Sequence, residues 1–253
     1  MGLDPDLEKL PKHLSKLKDP IFQFNKQIID ATHDLVCTYK PNIAFYEAYG
    51  IDGLAQLQKT IEYIHEQYAD IPVLLDAKRG DIGSTAAKYA HAVFEYFKSD
   101  AVTINPYLGI DSVEPFLTYS DKGIFILCRT SNPGAADFQD LKVNNEALCI
   151  KVAEKVTEWD KQFGNCSLVV GATWSEQLKT IRTIAPDMFF LIPGIGTQGG
   201  DIKQTLQNGL TKDKSGLIIA VSRTIIYASS AENFSEQVKQ KALDYKKEIN
   251  TFR

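Results

Sequence analysis

The chain has no apolar run near the roughly 20 residues that a membrane helix requires. Its apolar stretches, such as 168–171 and 217–221, end after four and five residues, so they read as buried strands rather than spans. Cysteine is scarce: Cys37, Cys128, Cys149 and Cys166 show no C-x-x-C spacing, and no basic-then-apolar leader precedes Gly2. A reducing cytoplasm is the expected setting. Excess basic charge is missing too. Lys and Arg number 28 against 32 Asp and Glu, giving a formal charge of −4, and the lysines are scattered. Nucleic acid and anionic membrane are therefore not expected partners, and any phosphate partner should be small. The four histidines, His13, His33, His65 and His91, lie in or beside helical stretches without an H-x-x-x-H pair, so no metal site is expected. The serines lack a G-x-S-x-G elbow and the cysteines a recognisable histidine partner motif.

What the chain does contain is alternation. Seven short β-rich apolar runs recur, at 36–39, 73–75, 101–104, 124–128, 168–170, 189–192 and 217–221. Longer segments of helical character lie between or after them, including 53–68, 85–97, 145–163, 176–184 and 233–247; Leu54, Leu57, Ile61 and Ile64 form one apolar stripe. Strand–helix alternation requires parallel strands joined by right-handed crossovers. A length of 253 residues fits two small domains or one α/β barrel of about 250. With 44% hydrophobic and 24% charged residues, and no linker or low-complexity break, the chain reads as a single domain over 1–253 with one large core. An open doubly wound sheet and a closed (β/α)8 TIM barrel share this periodicity. Polar and glycine-rich turns cluster just after the strand ends, and a barrel gathers such ends on one face, where its active site forms. An eighth strand must then come from residues 1–3, so the first strand is expected to be shortened at the N-terminus.

Three groups of residues carry chemistry. Asp76 and Lys78 end an apolar strand two residues apart, so their side chains share one side, with Asp81 beyond Gly80. A salt-bridged loop and a reaction centre are both compatible with that motif. Next, the glycine-rich stretch 193–200, opened by Pro193 and containing Gln198, follows an apolar strand and precedes a helix from near Asp201. Glycines there let backbone N–H groups approach an anion. Arg223, ending the following strand, supplies a bidentate contact where barrels frequently bind phosphate. Finally, Lys40 and Asp4 are charged residues at strand ends that gain weight only by joining the cluster. Ser131, in the run 130–134, is placed to hydrogen-bond a substrate rather than attack it, and Trp159 and Trp174 read as packing residues.

Taken together, Gly2-Leu3-Asp4-Pro5, Lys40-Pro41-Asn42, Asp76-x-Lys78-x-x-Asp81, Thr130-Ser131-Asn132-Pro133-Gly134, Pro193-Gly194-Ile195-Gly196-x-Gln198-Gly199-Gly200 and Ser222-Arg223 closely resemble the orotidine 5′-phosphate decarboxylases. The likeness is to the bacterial branch with the pattern Asp76-Ala77-Lys78-Arg79-Gly80-Asp81-Ile82-Gly83. The resemblance implies a TIM barrel that converts orotidine 5′-phosphate to UMP and CO₂, the last step of de novo UMP synthesis, with neither metal nor organic cofactor. It implies that Lys78 stabilises and protonates the C6 carbanion, that Asp76 sits near the departing CO₂, that Lys40 bridges Asp76 and the ribose, and that Asp4 holds a ribose hydroxyl. Ser131 matches a contact to the pyrimidine edge, Gln198 and Arg223 match phosphate contacts, and Pro193 heads the loop that closes. Asp81, Ile82 and Thr85 match residues that reach into a neighbouring subunit's site, which implies a homodimer. An alternating array of charges also argues against a Schiff-base mechanism. Two alternatives stay open: a metal-dependent sugar-phosphate lyase of the same superfamily, in which a metal-binding glutamate would stand where this chain has Lys40, and a barrel that binds nucleotides without catalysis.

Overall fold

The computed structural model describes residues 1–196 and 199–253. Among the described residues, eight barrel strands alternate with eight principal helices. The strands are β1 (Gly2–Leu3), β2 (Lys40–Pro41), β3 (Leu74–Arg79), β4 (Ala101–Ile104), β5 (Gly123–Arg129), β6 (Cys166–Val170), β7 (Phe190–Ile192) and β8 (Leu217–Ile219). The helices that follow them in turn are α1 (Pro20–Thr32), α2 (Gly50–Gln67), α3 (Gly83–His91), α4 (Ile110–Leu117), α5 (Leu148–Phe163), α6 (Ser175–Ile184), α7 (Ile202–Gly209) and α8 (Phe234–Phe252). No helix among the described residues is long and apolar enough to cross a membrane.

From β3 to β8 the strands form one sheet in chain order, every neighbouring pair parallel. β1 pairs in parallel with β2, Gly2 opposite Lys40 and Leu3 opposite Pro41. The two joints between these sheets are short. Tyr39 meets Val73 and Asn42 meets Asp76 on one side, while Gly2 N donates to Val221 O at 2.8 Å on the other. The sheet thus closes into a (β/α)8 barrel with no free edge to protect. β1, two residues long, is hydrogen-bonded on both sides, and Leu3 is fully buried. The approach is close: a Cβ at Gly2 would stand 2.5 Å from Ser222 Cβ.

β4 and β6 are buried along their whole length, as expected of parallel strands covered on both faces. Leu74, Ala101, Phe125, Val169 and Leu191, one from each strand β3 to β7, pack together inside the barrel. The alternate residues, such as Leu75, Val102, Ile126, Leu168 and Ile192, join the larger layer beneath the helices. There α2 contributes Leu57, Ile61 and Ile64 from its apolar stripe, and Phe24 of α1 stacks on Phe234 of α8 at 5.3 Å, closing the helical ring.

Among the boundaries that differ from expectation, four bear on the barrel and its loops. The run 36–39 is not itself the second strand; β2 begins at Lys40, and Thr38 instead ties the chain down by donating to Pro72 O. β3 continues past its apolar run to Arg79, with a register shift between Leu75 and Arg79. The helix expected over 85–97 changes to a π-helical turn at Ala92–Tyr96. Finally, α5 starts at Leu148, because residues 142–147 fold into a small antiparallel hairpin, Lys142–Val143 with Glu146–Ala147.

Candidate active site

The C-terminal end of β3 carries the densest chemistry. Asp76 is buried (7% exposed) and accepts at both carboxylate oxygens: Lys40 Nζ lies 2.8 Å from Oδ2, while Lys78 Nζ lies 2.6 Å from Oδ1. Thr103 Oγ1 donates to Oδ1 at 2.8 Å and itself accepts from Lys78 N at 3.0 Å. The two ammonium groups differ in access. Lys40 is buried (8% exposed), whereas the Lys78 side chain is 47% exposed. Lys78 reaches Asp76 from a left-handed backbone, φ +46°, a conformation uncommon outside glycine and concentrated at functional sites.

Burial by itself would raise the Asp76 carboxyl pKa, but the charges of Lys40 and Lys78 outweigh it and hold the group well below the usual carboxylate range. Burial likewise pulls Lys40 down, and the Asp76 and Asp4 carboxylates more than reverse that, leaving its pKa raised. The pair is thus an ion pair with both members charged. Asp4, after β1, completes a row of alternating charge. Its Oδ1 is buried without a hydrogen-bond partner, an acceptor that calls for a donor from a ligand.

The remaining sequence-derived residues lie at neighbouring strand ends. Ser131, after β5, is half-buried, and its carbonyl accepts from Thr173 Oγ1 at 3.1 Å. After β7, Pro193 O accepts from Ala172 N at 2.8 Å, and Gly200 N donates to Gly194 O at 3.0 Å. Gly196, at φ +91°, faces Thr224 so closely that a Cβ would stand 2.9 Å from its Oγ1; this turn therefore abuts the segment that begins with exposed Arg223 after β8. Gln198 lies outside the described residues.

Asp81, Ile82 and Thr85, expected to serve a neighbouring subunit's site, lie apart from this chain's own cluster. Among the described residues, Asp81 forms neither a hydrogen bond nor an ion pair with Asp76, Lys78 or Lys40; its Oδ1 accepts from Ile82 N at 2.8 Å. Ile82 is 53% exposed and Thr85 is exposed on α3. Within one chain, D-x-K-x-x-D therefore supplies two members of the centre rather than three. Sequence reasoning missed Thr103 and Asn42. A threonine inside the apolar run Ala101–Ile104 was a usable signal for a polar group aimed into the barrel. Asn42 sits 3.5 Å from Asp76 Oδ2, at the outer limit of a hydrogen bond. Among the described residues no group of three His, Cys, Asp or Glu side chains is arranged to hold a metal ion.

Comparison with known proteins bears on this geometry. Residues 6–238 match the family model described as "Orotidine 5'-phosphate decarboxylase / HUMPS family". The chain is 51% identical over 255 aligned residues to the orotidine 5′-phosphate decarboxylase of Cellvibrio japonicus, covering 100% of this chain and 93% of that one. Among solved structures it resembles the OMP decarboxylase of Leishmania donovani, with TM-score 0.87 and 39% identity over 99% of this chain and 92% of that one. It also resembles the UMP synthase of the same organism, with TM-score 0.88 and 41% identity; 99% of this chain is covered, but only 52% of the synthase, so the chain spans about half of that longer protein.

Proposed function

Because the chain belongs to the orotidine 5′-phosphate decarboxylase / HUMPS family, we propose that it catalyses the decarboxylation of orotidine 5′-phosphate to UMP and CO₂, as one barrel domain over 1–253 working in the cytoplasm. The observation that carries this reading is the Lys40–Asp76–Lys78 array at 2.8 and 2.6 Å. When the bond from C6 to the carboxylate breaks, the electron pair stays on C6 in the plane of the ring, where the π system cannot spread it. A cation already fixed beside C6 stabilises that charge without reorganising. Lys78 is that cation, and its proton passes to C6 to give UMP. Being half-exposed, it takes a replacement proton from solvent. Asp76 sits beside the departing carboxylate and orients Lys78, while Lys40 and Thr103 hold Asp76.

The orphaned Asp4 Oδ1 accepts from a ribose hydroxyl, with Lys40 next to it. Ser131 meets the pyrimidine edge. Arg223, Gln198 and the turn headed by Pro193 take the phosphate, and remote binding of that group contributes to the rate at C6. Asp81, Ile82 and Thr85 serve the site of a second copy in a homodimer. The chemistry needs no cofactor. A metal-dependent lyase fits less well, since both Asp76 oxygens are already occupied by ammonium groups and Lys40 adds positive charge where a divalent ion would sit.

The test is to follow the pyrimidine absorbance of orotidine 5′-phosphate mixed with the protein and a chelator. Turnover is expected with and without chelator, and Lys78→Ala is expected to lose roughly 10³-fold or more in kcat. A folded protein that leaves the substrate unchanged overturns the reading, and activity abolished by chelator transfers it to the lyases.

A further inference from the structure

Arg129 ends β5 and is the bulkiest fully buried side chain among the described residues. The guanidinium is fully buried while its ion-pair partner Asp140 is 35% exposed, and desolvating a charge for such a pair contributes little to stability. Its contacts converge on one peptide instead. Nη1 donates to Thr130 O at 2.9 Å and to Gln139 Oε1 at 3.4 Å, Nη2 pairs with Asp140 at 3.0 Å, and the guanidinium lies 4.0 Å from the centre of the Trp174 ring. Trp174 Nε1 donates to the same Thr130 carbonyl at 3.0 Å, and Gln139 Oε1 accepts from Thr130 N at 2.8 Å. Both backbone polar groups of Thr130 are therefore held by side chains.

The next residue is Ser131. Its carbonyl is held by Thr173, and Gly171 leaves room for it: a Cβ at 171 would stand 2.6 Å from Ser131 Cα. Arg129 Nε, in contrast, is buried without a partner. The guanidinium accepts that loss while directing its other groups to the 130–140 segment. Such an arrangement serves placement better than it serves stability.

We infer that Arg129, with Gln139 and Trp174, is a positioning residue: it locks the 130–131 backbone so that the Ser131 hydroxyl meets the pyrimidine edge in one orientation. This rests on the reading of Ser131 given above. Discrimination of the base is then set by a clamp outside the charged centre, in side chains that act through Ser131.

Arg129→Met keeps the volume and removes every donor. It is expected to fold with a Tm within a few degrees of wild type and to lose about 10- to 100-fold in kcat/KM for orotidine 5′-phosphate, the scale set by misplacement of a contact. Affinity for ribose 5-phosphate, which lacks the base, should stay within about twofold, and in a Ser131→Ala background the same substitution should cost less than about threefold, since the group it positions is gone. Trp174→Phe, which retains the ring and deletes one donor, should show a smaller loss with the same pattern, and it carries the test if Arg129→Met does not fold. The inference is overturned if the Arg129 and Ser131 losses multiply independently, if ribose 5-phosphate binding weakens as much as turnover, or if turnover is unchanged. A wild-type protein inert toward orotidine 5′-phosphate removes the premise itself, a result distinct from these.

Discussion

Asp76 illustrates how much one residue's role depends on its neighbours. Alone, a carboxylate this buried would tend to take up a proton; between Lys40 and Lys78 it stays ionised. The sign of the linkage follows. A carboxyl group whose folded pKa lies below its unfolded value of about 3.9 contributes stability that is fully present above that value and is lost as pH falls through the folded pKa. Lys40, whose folded pKa is raised, contributes stability that is full below about 10.4 and is lost as pH rises through the folded value. Between these limits the pair does not change charge. Asp76→Asn leaves Lys40 buried without its ion-pair partner, beside a second cation and with only the Asp4 carboxylate to offset it, so it should destabilise the protein by about 3 kcal/mol near neutral pH. Urea unfolding at several pH values checks this: the gap between wild type and variant should hold steady from about pH 5 to 9 and narrow below about pH 4, where wild-type Asp76 loses its advantage. A gap that widens on acidification would contradict the ion-pair account.

At the scale of elements, the closure of the barrel rests on the two residues of β1. Gly2 lies against Ser222 with no room for a side chain, and its N–H makes the hydrogen bond to Val221. Gly2→Ala should therefore destabilise the fold by about 1–3 kcal/mol, as overpacking does, and Ser222→Gly in the same chain should recover most of the loss, because the atom struck is Ser222 Cβ. Ser222→Ala, which removes only the Oγ at 2.8 Å and keeps the closer Cβ at 2.5 Å, should recover only a minor part. Denaturant midpoints decide among these outcomes. The order of elements was legible from the alternation of apolar runs and helical stripes, and so were most strand ends, since glycine, proline and charge gather there. Less was legible where local pattern and tertiary pairing disagree. The run 36–39 reads as a strand, yet the ladder to β1 begins at Lys40, because register depends on a partner about 38 residues away. The left-handed turn at Lys78, the π-helical turn after α3 and the hairpin before α5 left no periodic signal either. The site followed the same division. Asp76, Lys78 and Lys40 could be placed at strand ends from sequence, and a threonine within the apolar run 101–104 marked a polar group in the barrel, whereas the partners of Thr103 and Arg129 are set by packing.

For the whole molecule, the decisive question is where Asp81 acts. In one chain it lies past Gly80 with its carboxylate turned to Ile82 N, next to Ile82, which leaves half its surface to solvent; Tyr89, whose ring meets Arg79 of the same motif, is exposed as well. Exposed apolar side chains beside a motif carboxylate suit a face that meets another protein surface. On the homodimer proposed above, each copy would lend Asp81 to the other's Asp76–Lys78 pair. Complementation separates this arrangement from one in which Asp81 serves its own barrel. Asp76→Ala and Asp81→Ala are each expected to be nearly inactive alone. In a hybrid dimer of the two, one site carries both lesions and the other carries neither. Random exchange of equal amounts makes about half the dimers hybrids, so the mixture should recover roughly a quarter of wild-type activity. Were Asp81 to act within its own chain, every site in every dimer would lack one carboxylate, and mixing would recover nothing. Recovery that rises with the extent of subunit exchange, followed with differently tagged chains, supports the shared site; verified exchange without recovery returns Asp81 to its own barrel.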